Sequence, residues 1–224
     1  MLNGIAIVVA AYFIGAFPHL LILARLHRIE PVGDLHIALW QKAGAQWGLI
    51  AIAIDVGKGA LAVWMAGWLD FDIAIVVFCA LAATAGQMWT VFRRFNGEKG
   101  NTTAFGAALA LAVTPAAIAL IPVVLALVGK LVRALRQKGI SMEQTFRLGA
   151  GQSNALPVAV ALTFILLPIV AWLLGEPRPV IWGFAGLAVM ILFRRITAGL
   201  NADLKTGTSL WRIFWWRLLL DRAV

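Results

Sequence analysis

Apolar residues in this chain do not alternate with polar ones; they run together for long stretches that give way to short, basic, polar segments. The runs cover Leu2 to Ala24, Trp47 to Leu69, Ile73 to Phe92, Thr102 to Val132, Asn154 to Leu174 and Val180 to Phe193. Most approach the roughly 20 residues that carry a helix across a ~30 Å hydrocarbon layer. The ~10-residue alternating segments of a membrane barrel are missing, which leaves the helix as the spanning form. The first run has neither a basic leader nor a small-residue cleavage site followed by polar sequence, and is read as a retained span. The fourth run is too long for one crossing, and as a single helix it would place Lys130, Arg133, Arg136, Lys138 and Arg147 opposite the other basic loops. Proline breaks the helical ladder and biases its predecessor away from helix, so Thr114-Pro115 is the expected break. With 102–113 as a short helix and 115–132 returning, the chain has about seven transmembrane helical segments. Every basic loop then lies on one side, which the positive-inside rule assigns to the cytoplasm. The expected fold is all-α and polytopic, a single membrane domain over 1–224, with the amino terminus outside and the carboxyl terminus cytoplasmic.

Composition sharpens this reading. Hydrophobic residues make up 62% of the chain, charged residues only 13%, and mean hydropathy is +0.91, which excludes an ordinary water-soluble domain. The net charge of +9 sits in loops flanking the apolar runs and not on a separate basic domain, so anionic lipid headgroups and phosphorylated substrates are the expected partners, and nucleic acid is not. Two segments are expected to lie along the cytoplasmic interface. One is 134–151, where basic and apolar residues mix. The other is 209–222, where Trp211, Trp215 and Trp216 stand among Arg212, Arg217 and Arg222, a combination suited to headgroups. Cys79 is the single cysteine and has no intramolecular disulfide partner.

Two groups of residues carry candidate chemistry. Asp55 and Lys58 lie inside the second run at i,i+3 spacing, on one helix face, where they can pair. Each charge costs about 2.5–3.5 kcal/mol near the bilayer centre, so the pair is either functional or a structural pin between helices. The second group is the basic, glycine-punctuated stretch from Arg93 through Gly97, Glu98, Lys99, Gly100 and Asn101 to Thr102 and Thr103, which runs straight into a helix. Flexible backbone, unpaired helix-start N–H groups, a lysine and hydroxyls are what cradles a phosphate. The Walker spacing is absent, and a capped positive-inside loop is the competing reading. His19, His27 and His36 show no metal-ligand spacing, and no serine has a recognisable base partner, so no metal and no cofactor is expected.

The order of these motifs resembles the bacterial acyl-phosphate-dependent glycerol-3-phosphate acyltransferases of the PlsY family. Gly15-Ala16-Phe17-Pro18 resembles the family's G-S-x-P opening, Asp55-Val56-Gly57-Lys58-Gly59 its D-x-x-K-G, and Gly86 to Phe92 followed by Gly97-Glu98-Lys99-Gly100 its G-H-x-x-P-V-F and G-G-K-G; Arg194-Arg195 is similar, more loosely, to its basic ending. The resemblance implies a seven-helix membrane enzyme of phospholipid biosynthesis. In the bacterial cytoplasmic membrane, with its active face cytoplasmic, it would move an acyl group from acyl phosphate to the 1-hydroxyl of glycerol 3-phosphate. It also implies that Lys99 and the 97–103 backbone hold substrate phosphate while Asp55 and Lys58 organise the site, and Arg93 and Arg195 are expected, with Lys58 and Lys99, to bind and stabilise the anionic phosphate groups. The chain departs from the pattern at Ala16, at Gln87, at Glu98, and in the first cytoplasmic loop, where Val32-Gly33-Asp34-Leu35-His36 stands in a shorter segment. A site rebuilt from Asp34, His36, Gln87 and Asn101 around Lys99, with His36 handling the proton, is one expectation. A non-catalytic paralogue that binds lipid phosphate or a partner enzyme is the alternative, and no oligomeric state is implied.

Overall fold

A computed structural model describes residues 2–31, 33–136 and 154–221, with the backbone alone at residues 134 and 135. The described residues contain helices and turns and no strand. Five helical stretches are long and apolar enough to cross a membrane: Leu2–Leu26, Ala45–Trp68, Ile73–Arg93, Ala155–Leu173 and Arg178–Leu204. The pair Val113–Ala119 and Ile121–Arg133, bent by 42°, makes a sixth if it counts as one span. Large apolar side chains such as Trp68, Trp172, Trp182 and Val189 are exposed along these helices. A lipid solvent accommodates them where water would not.

The first stretch is two helices, α1 (Leu2–Ala16) and α2 (His19–Leu26), divided at Pro18. Proline has no N–H to donate back into α1, so carbonyls at the end of that helix are left without ladder partners. Other elements satisfy them: Thr90 Oγ1 donates to the Ala16 carbonyl at 3.0 Å, and Lys58 Nζ to the Gly15 carbonyl at 2.9 Å. The short helix α3 (Leu35–Lys42) leads into α4 (Ala45–Trp68), and α5 (Ile73–Met88) returns.

Helix α6 (Asn101–Leu111) has 11 residues, about 16 Å at 1.5 Å per residue, half a hydrocarbon layer. The break that follows is at Ala112, whose backbone is extended (φ −154°, ψ 102°), two residues before Thr114 and not at the expected Thr114-Pro115. Pro115 instead occupies the first turn of α7 (Val113–Ala119), where a missing N–H costs nothing because first-turn amides have no helical acceptor. A second bend separates α7 from α8 (Ile121–Arg136), which runs past the expected end at Val132. Helices α9 (Ala155–Leu173) and α10 (Arg178–Thr197) complete the spans, followed by α11 (Leu200–Leu204), α12 (Leu210–Trp215) and a π-helical turn at Trp216–Leu220.

Close helix packing is built on small residues. A Cβ on Gly59 would lie 2.0 Å from the Thr103 carbonyl oxygen, and one on Gly106 2.0 Å from that of Val56, so α4 and α6 touch backbone to backbone. Small residues at such crossings are the usual way for helices to associate where the solvent is as apolar as their side chains. A second core, including Phe164, Leu167, Phe184, Leu187 and Ile191, lies between α6, α7, α9 and α10, with Phe105 stacked on Phe164 at 4.7 Å between ring centroids. In the expected interfacial tail, Trp211 meets Trp215 edge-on and the Arg212 guanidinium lies 4.9 Å from the Trp216 ring centroid. Residues 137–151 of the other interfacial segment, and Arg222, lie outside the described residues.

Candidate active site

Asp55 and Lys58 are buried on α4, 0% and 6% exposed, and form the expected ion pair, with Lys58 Nζ 3.0 Å from Asp55 Oδ1. Buried charges survive only when each lone pair and proton finds a partner. The ammonium also donates to the Gly15 carbonyl and to Gln87 Oε1, and its Nζ lies 3.3 Å from His19 Nδ1. The Asp55 carboxylate has His19 Nε2 3.4 Å from Oδ1, while Oδ2 lies 2.6 Å from His36 Nε2 and accepts from Thr102 Oγ1 at 2.9 Å. Five elements therefore converge on one pair of charges.

His36 reaches this point because Asp34 caps α3, accepting from the backbone N–H groups of His36 and Ile37 at 3.1 and 3.3 Å. With Nε2 bound to Asp55, the other nitrogen, Nδ1, faces Asp34 Oδ1 at 3.8 Å. Burial opposes protonation of His36, but the Asp55 hydrogen bond and the charges of Asp55, Asp34 and Glu98 outweigh it, so its pKa is raised above the ordinary 6.5. Glu98 is pushed up by burial and by the charge of Asp34, against the pull of His36 and of Arg93, whose Nη1 lies 2.6 Å from Glu98 Oε1. Ligand atoms of Asp34, His36 and Glu98 lie within 4.8 Å of one another, a spacing that admits a cation and that no sequence interval announces. Both carboxylates already have partners, however, Asp34 at the start of α3 and Glu98 on Arg93.

The 93–103 stretch is held as a platform. The Gly97 and Glu98 amides donate to the Met88 and Gln87 carbonyls, and Arg194 clasps the other side, with Nη2 donating to the Gly97 carbonyl at 2.7 Å and to Asn96 Oδ1 at 3.2 Å. Gly100 turns the chain into α6 from a left-handed conformation (φ 79°). A cavity of about 20 Å³, enough for one water, lies between the platform and Pro18, lined by Ala16, His19, Gln87, Thr90, Arg93 and Glu98.

The expected phosphate-binding residues divide. Arg93, Gly97 and Gly100 belong to the platform, and Thr102 turns to Asp55 instead of a phosphate. Thr103 is fully buried on α6, and Arg195, 2% exposed, donates to the Pro157 and Leu218 carbonyls at 3.0 and 3.2 Å. Both are closed to solvent and serve as packing and clamp. The Asn101 side-chain oxygen is buried without a partner, and Lys99 points away to the tail, 2.9 Å from Asp221 Oδ2. The expected gathering of Asp34, His36 and Gln87 therefore occurs around Asp55 and Lys58, and Lys99 stands apart from it. His19 and Arg194 were missed; a histidine directly after the helix-breaking Pro18 was the available signal for the first, and nothing distinguishes Arg194 from Arg195 in sequence.

Apolar helices closing over a buried Asp–Lys–His cluster, with a clasped basic glycine loop at the same end of the bundle, define a helical membrane protein with a charged cluster buried at one end. The fold is shared with crystal structures of PlsY, an integral membrane glycerol 3-phosphate acyltransferase, in its lysophosphatidic acid and glycerol 3-phosphate forms. Each has a TM-score of 0.67 and covers 95% of this chain and 99% of the solved one, at 20% and 19% identity. Glycerol-3-phosphate acyltransferase 4 of Dehalococcoides mccartyi strain CBDB1 is 32% identical over 221 residues, 96% of this chain and 87% of that protein. Glycerol-3-phosphate acyltransferase 5 of strain ATCC BAA-2266 is 28% identical over 232 residues, 98% and 89% of the two chains. The family model for glycerol-3-phosphate acyltransferase matches residues 5–198, and the chain belongs to that family.

Proposed function

We propose that this chain acylates glycerol 3-phosphate from acyl phosphate, releasing phosphate and forming lysophosphatidate. The observation that carries the reading is the Asp55–His36 hydrogen bond, which holds Nε2 on Asp55 and turns Nδ1 toward Asp34 as the proton acceptor, beside a clasped, basic glycine loop. In the reaction the 1-hydroxyl oxygen attacks the acyl carbonyl carbon and its proton passes to His36 Nδ1. The carbon–oxygen bond to phosphate then breaks, and phosphate leaves with the electron pair. Asp55 orients His36, Lys58 neutralises Asp55, and Lys99, Asn101 and the platform backbone attract the anionic groups. Arg93, through Glu98, and Arg195, through the tail, position these parts without touching substrate.

The same proposal gives the chain seven segments, counting α6 as a half-length crossing. Support comes from the helix ends that meet at the site: the C-terminal ends of α1, α5 and α10 and the N-terminal ends of α6 and α9, as alternating directions require. The positive-inside rule then puts the site on the cytoplasmic face of a bacterial inner membrane, with the amino terminus outside and one domain over 1–224. Ala16 and Gln87, which replace a hydroxyl and an imidazole of the family pattern, favour the second reading, a non-catalytic paralogue. Purified protein given palmitoyl phosphate and glycerol 3-phosphate should release inorganic phosphate. Silence, while a relative with the full motifs turns over in parallel, selects the paralogue.

A further inference from the structure

Lys99 is one-third exposed and belongs to the glycine loop, yet its ammonium is spent on the carboxyl-terminal tail. Nζ lies 2.9 Å from Asp221 Oδ2 and donates to the Asp221 carbonyl at 3.2 Å, a contact between residues 122 positions apart. An ammonium has three donors; one is used by a carboxylate, an anion of the same charge type as a phosphate oxygen, and a second by that residue's backbone carbonyl. The tail that delivers this anion is fixed at its root by Arg217 and, one residue on, by the Arg195 bond to the Leu218 carbonyl. Arg217 is buried, with Nε 2.7 Å from Asp203 Oδ2 and Nη1 donating to the Ile196 carbonyl at 3.3 Å. Arg217 sits within a π-helical turn, Trp216–Leu220, a form that occurs in single turns, and the turn ends at Asp221, whose backbone is left-handed (φ 55°). The segment also lies outside residues 5–198, the part matched by the family model.

We propose that the tail is an internal competitor at Lys99: the Asp221 carboxylate occupies the place that a substrate phosphate takes, and an anionic substrate binds by displacing it. The inference rests on the reading of Lys99 as a phosphate-binding lysine. The ligand class is a phosphate monoester or acyl phosphate, and the displaced unit is the Asp221 side chain on the turn that follows Leu218.

The test uses the full chain in detergent micelles, with glycerol 3-phosphate and inorganic phosphate titrated by calorimetry and glycerol 3-phosphate KM measured alongside. Asp221→Asn removes the charge while keeping a side chain that tolerates left-handed backbone. Its expected effect is a fall in Kd and KM of about threefold to tenfold, the scale of one partly exposed ion pair, with kcat undiminished. Glu30→Gln, which neutralises an exposed acid in the loop before α3, controls for overall charge and should stay within twofold of wild type. Unchanged or weaker binding in Asp221→Asn, or an equal gain in Glu30→Gln, overturns the proposal. Lys99→Ala separates the two layers: if it binds phosphate as wild type does, the Lys99 reading itself falls and the competitor falls with it. If Lys99→Ala loses binding while Asp221→Asn gains none, the competitor alone is wrong.

Discussion

Asp55 sits at zero exposure with three partners that carry or can carry positive charge, and removing Lys58 or His36 has different consequences. Lys58→Met would leave the carboxylate buried without its lysine partner, and should cost roughly 3 to 5 kcal/mol of stability, read as a lowered unfolding midpoint in micelles. His36→Gln keeps a hydrogen-bond donor for Asp55 but loses the proton acceptor, so it should lower kcat by about 10²–10⁴-fold with stability little changed. The raised pKa of His36 sets a direction for pH. A base must be neutral to act, so kcat/KM should rise with pH through a midpoint above 6.5, because the Asp55 hydrogen bond and the charges of Asp55, Asp34 and Glu98 outweigh the burial of His36. Asp34→Asn keeps the α3 cap and removes one of the charges that raise the pKa, so the midpoint should move to lower pH. Comparing variant with wild type on one substrate cancels titration of the substrate's own phosphate. A midpoint that stays in place would show that another group limits the acid side.

At the scale of elements, the site depends on two kinds of junction. One is the Pro18 break, which frees the Gly15 and Ala16 carbonyls to receive Lys58 and Thr90. The other is the α4–α6 contact, which presents Thr102 to Asp55. Gly106→Val should separate these helices, because even its Cβ would meet the Val56 carbonyl at 2.0 Å. Loss of about 2 kcal/mol or more and a drop in turnover are expected, since backbone cannot yield as a flexible side chain can. A variant that unfolds and turns over like wild type would show that the crossing has slack. The helices themselves were legible in the apolar runs, and so was the short α6, because Pro115 marks a change nearby. The break at Ala112 was not, because proline is fully tolerated in a first turn and the sequence does not say which residue before it will extend. The i,i+3 pairing of Asp55 and Lys58 was legible because one helix carries both. His36 with Asp55 and Gln87 with Lys58 were not, being 19 and 29 residues apart on different elements.

For the whole molecule, the proposed sidedness can be checked directly. Single cysteines placed at Asp72 and at Lys42, in a Cys79→Ala background, should react with an impermeant thiol reagent in intact cells only at position 72. The opposite pattern would invert the proposed orientation and move the site to the outer face. By itself the sequence determined that lipid is the solvent for most of this surface, that helices cross it, and that a charged pair lies within one of them. These are sums over neighbouring residues: transfer energies, helical spacing and proline chemistry act along the chain. Only the tertiary structure decided that Lys99 answers to Asp221 and not to the Asp55–Lys58 cluster, that Arg195 is a buried clamp, and that His36 and His19 join Asp55. Such pairings follow from where helices cross and where backbone carbonyls are left open, and two positions far apart in sequence carry no local mark of meeting.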